Sequence, residues 1–251
     1  MIYVIGDTHG DIDLHVAEDL YATYHVKRDP EVRKTDKLIV AGDFGLLWNS
    51  VDGDREKRII DFWLTRYSEV LWIDGNHENF DRIKELPTEE RYGSDVGVVT
   101  PGIYHLRRGR VYTIKGLKFF TFGGGFSIDK VRRVEGVSWW KEEIPSFMES
   151  KRGLDELETH DNKVDYMITH TAPLSVFHTM CSFADFKCKV NNGDRSLMEY
   201  LDHVASTVEF KQWFFGHYHI DVVMEEGKYR CLYEQVNFIS EDNELELASN
   251  H

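Results

Sequence analysis

Five short apolar runs in this chain each end on a polar residue able to hold a metal ion, which points to a layered sheet protein with one chemically loaded edge. The runs are Tyr3-Val4-Ile5, Leu38-Ile39-Val40-Ala41, Val70-Leu71-Trp72-Ile73, Tyr166-Met167-Ile168 and Trp213-Phe214-Phe215. They are brief and rich in β-branched and aromatic residues, the pattern of strands buried on both faces. Behind them come Asp7 and His9, Asp43, Asn76, His170, and His217 with His219. Reactive groups in an open α/β sheet gather beyond the carboxyl ends of the strands. All seven side chains are therefore expected at one place.

The segments between the runs supply the other layers. Asp11 or Asp13 can cap a helix carrying Leu14, Ala17, Leu20, Tyr21 and Tyr24, and Asp54 to Tyr67 places Ile59, Ile60, Phe62, Trp63 and Tyr67 within a helical period. Ile103 to Phe122, punctuated by Gly109 and Gly116, reads as an antiparallel meander. Ser138 to His160 reads as partly helical, with Pro145 as a break. Thr171 to Asp194 shows no period and reads as a long, substrate-facing loop. Ser196 to Ala205 resembles a helix, and Glu226-Gly227 lies between two short runs as the turn of a closing hairpin. No repeat or linker interrupts the chain, so residues 1–251 read as one domain.

Charge narrows the partners. Lys and Arg number 30 against 44 Asp and Glu, a formal net charge of -14, which disfavours a surface for extended duplex nucleic acid. Bound cations can still make one cleft positive, so an anionic substrate fits. Cys181, Cys188 and Cys231 are too scattered for a disulfide framework or a thiolate zinc site and read as reduced thiols. With no secretory leader visible and no run approaching about 20 apolar residues, the expectation is a cytoplasmic protein without a membrane partner. Oligomeric state has no signature in the sequence.

Asp7 and His9 lie two apart just past a strand, where extended backbone points both the same way. His217 and His219 repeat that spacing. A carboxylate such as Asp43 can bridge two ions, Asn76 offers an amide oxygen and His170 an imidazole. Oxygen and nitrogen donors without thiolate suit two divalent ions, manganese first, with Fe, Zn, Ni or Co as other choices. Two ions about 3.5–4 Å apart activate a bridging water for in-line displacement at phosphorus.

Five segments together resemble the ordered motifs of the calcineurin-like metallophosphoesterases: Gly6-Asp7-Thr8-His9-Gly10, Gly42-Asp43, Gly75-Asn76-His77-Glu78, Thr169-His170 and Gly216-His217-Tyr218-His219. The resemblance runs from Gly6 to His219. It implies an α/β sandwich of two mixed β-sheets flanked by helices. It further implies that Asp7, His9, Asp43 and His219 hold one ion, that Asp43, Asn76, His170 and His217 hold the other, and that Asp43 is the bridge. His77 matches the histidine that contacts the phosphate and acts as general acid, protonating the leaving oxygen. Glu78 stands where many members carry Asp, which touches the orientation of His77.

Phosphoprotein phosphatases of this superfamily carry Asp-Arg-Gly after the second motif, where this chain has Phe44-Gly45-Leu46-Leu47-Trp48, and Arg where it has Asp74. Without those guanidinium clamps a phosphodiester is favoured over a phosphomonoester dianion. The reading is a phosphodiesterase for a nucleotide-like or other compact substrate. Its alternatives are a phosphomonoesterase, including a protein phosphatase, and a non-catalytic, metal-stabilised interaction module. Gly124, Ser127 and Arg132, in the Gly-rich turn and basic stretch after the Phe119 to Phe122 run, are candidate phosphate contacts, with a plain tight turn as the competing reading. Trp139-Trp140 reads as core rather than as a base-stacking platform. His105 and His178 read as structural histidines.

Overall fold

The computed structural model describes residues 1–10, 34–48, 53–183, 193–239 and 245–246. The helix expected from Asp11 or Asp13 lies outside them. All five apolar runs lie in parallel ladders as expected: β1 (Ile2–Ile5), β2 (Lys37–Val40) and β3 (Glu69–Trp72) lie side by side, as do β9 (Tyr166–Thr169) and β10 (Gln212–Phe215) in a second sheet. Parallel neighbours need a crossover. Helix α1 (Gly53–Leu64) supplies one between β2 and β3; it buries Ile59 and Trp63 and carries Asp54 and Glu56 in its first turn, where negative charge suits the helix dipole.

Beyond β3 the chain passes through α2 (Phe80–Glu85) into β4 (Thr88–Arg91), β5 (Ser94–Thr100) and β6 (Ile103–Leu106), and then β7 (Arg110–Ile114) and β8 (Leu117–Phe122). The meander expected over Ile103 to Phe122 is split. β6 joins the first sheet between β3 and β5, whereas β7 and β8 form a hairpin in the second. Strand periodicity shows which residues are buried but not which sheet a strand enters. β4 is mostly exposed and, with Glu89, Glu90 and Arg91, is a charged edge strand; in β5 only Val96 and Gly97 are buried, so no long apolar run marks it.

After β8 come α3 (Phe147–Thr159), α4 (Leu174–Phe183) and α5 (Arg195–Thr207), then β11 (Val222–Met224), β12 (Tyr229–Cys231), β13 (Asn237–Ile239) and β14 (Leu245–Glu246). Helix α3 starts immediately after Pro145 through a capping box: Ser146 Oγ accepts from the Glu149 N–H at 3.3 Å, and the Glu149 carboxylate accepts from the Ser146 N–H at 2.7 Å. The stretch expected as a loop from Thr171 instead contains α4. Val176, Phe177 and Met180 form its buried face, and Asp202 of α5 accepts from the Ser175 N–H and hydroxyl. The helix was obscure in sequence because no charged face sets off its apolar one. Cys231 is free and buried, but Cys181 is disulfide-bonded, which corrects the expectation of reduced thiols; whether two cysteines join depends on backbone proximity that spacing does not disclose. Cys188 lies outside the described residues.

The strand order is β14-β13-β1-β2-β3-β6-β5-β4 in one sheet and β11-β12-β10-β9-β8-β7 in the other. Alternate residues of both sheets, among them Val4, Ile39, Leu71, Tyr166, Ile168 and Phe214, meet in a central core. The outer face of the first sheet packs on α1 and α2 through Trp63, Trp72 and Ile83, and that of the second on α3, α4 and α5 through Met167, Met180 and Leu201. This is the two-sheet α/β sandwich expected. Among the described residues no helix is long and apolar enough to cross a membrane.

Candidate metal centre

The parallel strands β1, β2, β3, β9 and β10 end at one edge of the sandwich, and each is followed within four residues by a donor. The turns that present these donors are strained. His9, Asp43, His217 and His219 have φ of 45°, 48°, 73° and 51°, a left-handed region that non-glycine residues rarely occupy and that clusters at functional sites. Close approach between turns requires glycine at two positions. A Cβ on Gly42, whose φ is +94°, would lie 2.2 Å from His170 Nδ1, and one on Gly75 would lie 2.1 Å from Asp43 Oδ1.

Asp43 is at the centre and 1% exposed. Its Oδ1 accepts from the His77 N–H at 2.7 Å. Its Oδ2 lies 3.4 Å from His9 Nε2 and 3.4 Å from His170 Nε2. Asp7 accepts from the His217 N–H through both oxygens and has His219 Nε2 and His170 Nε2 each at 3.9 Å. Asn76 Nδ2 donates to Ser127 Oγ at 3.1 Å, which turns the amide oxygen towards His170 Nε2 at 3.1 Å and His217 Nδ1 at 2.8 Å. All seven sequence-predicted ligands are thereby brought together.

Three overlapping groups, Asp7–His9–His219, His9–Asp43–His77 and Asp7–Asp43–His170, have donor atoms within 4.8 Å of one another. His170 Nδ1 donates to the Ala41 carbonyl at 2.9 Å, which turns Nε2 towards the oxygens of Asp43, Asp7 and Asn76. Acceptors that converge on one another need positive charge between them, so the residues fit divalent cations.

The electrostatics agree. Burial disfavours a charged His170, but the Asp43 and Asp7 carboxylates outweigh it and raise its pKa to about 10. Burial also opposes ionisation of Asp43, and the His170 imidazole more than reverses this, holding Asp43 well below the usual carboxylate range. Burial and then the charge of His170 push His217 down to about 3. In the cation-free protein the proton on His170 stands in for a metal charge. Its stabilising contribution is complete below the ordinary 6.5 and is lost as pH climbs through about 10. Manganese uptake at pH 8 is therefore expected to expel about one proton and to tighten as pH rises from 6 to 9. Calorimetry in buffers of differing ionisation enthalpy checks this; uptake without proton release would refute it.

His77 borders the centre, with its ring 5.6 Å from that of His9. Arg133 Nη1 donates to His77 Nδ1 at 2.8 Å. Burial pushes the His77 pKa down; Asp43 opposes this, and the Arg133 charge adds to the fall. Glu78 does not touch the ring: fully buried, its Oε1 accepts from the Phe44 N–H at 2.7 Å and fixes the turn after Asp43, and burial and then Asp43 raise its pKa well above normal. Asp74 faces away from the centre, bound to His105 and Arg108, which outweigh burial and hold it far below a normal carboxylate.

The Gly-rich turn is placed as follows. Gly124 donates its N–H to the Asp74 carbonyl at 2.9 Å, Ser127 is buried against Asn76, and Arg132 is exposed. A Cβ on Gly125 would meet Asn76 Oδ1 and His217 Cε1, both at 3.3 Å, so Gly125 is the glycine lying over the donors. Trp140 is core, with its indole N–H donated to Asp81 at 2.8 Å.

Sequence reasoning placed Arg133 in the basic stretch with Lys130 and Arg132 without linking it to His77, and it missed three supporting residues. Trp48 is one, its ring 6.0 Å from that of His77. Tyr233 stacks on His219 with centroids 4.8 Å apart, in a turn whose N–H groups at Tyr233, Glu234 and Gln235 donate to Asp221. Asp194 Oδ2 lies 3.9 Å from the outward Nε2 of His217. Spacing carries no sign of these long-range contacts.

Residues 1–221 match the family model of the calcineurin-like phosphoesterases. The chain belongs to that family. The lariat debranching enzyme of Homo sapiens is 24% identical over 243 residues, covering 87% of this chain and 42% of that protein. That of Schizosaccharomyces pombe is 29% identical over 161 residues, covering 58% and 33%. The chain thus spans less than half the length of these relatives. Among solved structures, phosphopantetheinyl hydrolase from Mycobacterium tuberculosis aligns with a TM-score of 0.49 at 17% identity, covering 92% of this chain and 87% of that one.

Proposed function

We propose that this calcineurin-like phosphoesterase is a binuclear phosphodiesterase acting on a nucleotide-like or other compact substrate. One observation carries the reading: Asp43 Oδ2 lies 3.4 Å from an imidazole nitrogen of each proposed ligand set, His9 of one and His170 of the other, as suits a bridging carboxylate. In this proposal Asp7, His9, Asp43 and His219 hold one divalent cation and Asp43, Asn76, His170 and His217 the other, with manganese preferred. Such a pair, when bound, activates water and neutralises charge developing at phosphorus.

The protein side chains do the rest. Ser127 keeps the Asn76 oxygen aimed inward, and the Ala41 carbonyl fixes the His170 tautomer. Arg133, with Arg132 and the Gly124 turn on the same segment, provides the polar lining for the phosphate. Burial lowers the proton affinity of His77 in the free protein, and the Arg133 charge adds to that fall. An arriving phosphate anion offsets that guanidinium and raises the proton affinity of the imidazole, which suits His77 to protonate the leaving oxygen.

Diester preference follows from the guanidinium supply. Asp74, where phosphoprotein phosphatases carry Arg, is buried and already paired. Arg133 is the guanidinium bonded to His77, and one such group suits a monoanionic diester better than a dianion. The relatives named as debranching enzymes lean the same way. With manganese supplied, bis-p-nitrophenyl phosphate is expected to be cleaved at least about tenfold faster than p-nitrophenyl phosphate, a difference of about 1.4 kcal/mol in barrier. A faster monoester would overturn the preference.

A further inference from the structure

Behind the metal centre, on the far side of Asp74, a cleft of about 680 Å³ opens between α2, the β4–β6 edge of the first sheet and the start of α3. Its volume is in the range of small-molecule sites. Phe80, Ile83 and Ile144 give it an apolar wall, and Arg107, Lys141 and Arg152 line it with positive charge.

The acids in the lining are already engaged. Asp74 is bound by Arg108 and His105, Glu142 by Lys84, Asp95 by Arg110, and Glu149 by Arg108 and the Ser146 cap. Arg107, Lys141 and Arg152 make no ion pair among the described residues, in a protein whose net charge is -14. Two buried polar atoms of the lining, one acceptor and one donor, are also without a protein partner. His105, 2% exposed, spends Nε2 on Asp74 and leaves Nδ1 without a partner, and Arg152 Nε has none either. Buried polar groups usually find a partner in protein, water or a bound molecule, and these two open onto the cleft.

We infer that this cleft is a second binding site, separate from the metal centre, for a nucleotide-class phosphate: its base lies on the Phe80, Ile83 and Ile144 wall and its phosphate meets Arg107, Lys141 and Arg152. A bare anion would use the cations and leave the apolar wall idle. A nucleoside would do the reverse. The combination selects a molecule with both parts. The site stands independently of the chemistry proposed for the metal centre, from which it differs in every lining residue.

Calorimetric titration of the full chain with AMP, inorganic phosphate and adenosine tests this, in manganese and again in EDTA, which removes cation-dependent phosphate binding at the metal centre. One AMP per chain is expected to bind in EDTA, at least about tenfold more tightly than phosphate or adenosine. The double variant Arg107→Gln, Lys141→Gln is expected to lose at least about tenfold in that affinity through its missing charge-assisted contacts, with melting temperature and manganese-dependent hydrolysis of bis-p-nitrophenyl phosphate unchanged. No AMP binding in EDTA by protein shown to be folded, equal binding by the double variant, or phosphate binding as tightly as AMP would each overturn the inference.

Discussion

Asp43→Asn is expected to weaken binding of both cations at least about 100-fold and to reduce hydrolysis about 1,000-fold or more. Removing a partner that only orients a ligand costs about 10–100-fold in affinity, and Asp43 lies between both halves of the donor set. Asn is the informative replacement because Asn tolerates the φ of 48° at this position far better than other residues, and its amide oxygen can still accept from the His77 N–H. The fold should therefore survive while the bridging charge is lost. A second consequence needs no turnover. Without the Asp43 carboxylate, the His170 pKa should fall from about 10 towards its ordinary 6.5 in the metal-free protein. Isothermal titration with manganese reads the first effect, and imidazole NMR the second. Wild-type affinity in the variant would remove Asp43 from the bridge.

His77→Ala should lower kcat about 100- to 10,000-fold, the range for loss of a general acid, with both cations retained. Its backbone N–H, which holds Asp43 at 2.7 Å, survives the substitution. The loss should shrink for a substrate whose leaving group departs without a proton. p-Nitrophenolate esters should therefore suffer less than alkyl esters. Arg133→Gln should shift the pH profile as well: with the guanidinium gone the His77 pKa rises, so the limb that requires its proton extends to higher pH. An His77→Ala enzyme that turns over alkyl diesters at the wild-type rate would exclude His77 from proton transfer.

The clustering of the candidate donors was legible in sequence because it is local to strand ends. A buried strand advertises itself as an apolar run, and a donor within four residues of its end can reach the common edge whatever the rest of the chain does. Asp7, Asp43, Asn76 and His170 needed only that. The parts that sequence did not show depend on contacts between distant residues. Nothing near Arg132 and Arg133 distinguishes them, yet Arg133 bonds to a ring 56 positions away while Arg132 is exposed. Glu78 adjoins His77 but supports the turn at Phe44. Helix α4 lacked a charged face, β4 lacked an apolar one, and the passage of the chain between sheets at Arg107 to Gly109 leaves no trace in periodicity.

Anomalous diffraction at the manganese edge, from crystals grown with that ion, tests the binuclear proposal most directly. Two peaks about 3.5–4 Å apart are expected, with Asp43 between them, Asp7, His9 and His219 around one, and Asn76, His170 and His217 around the other. A single peak, or two peaks not sharing Asp43, would contradict it.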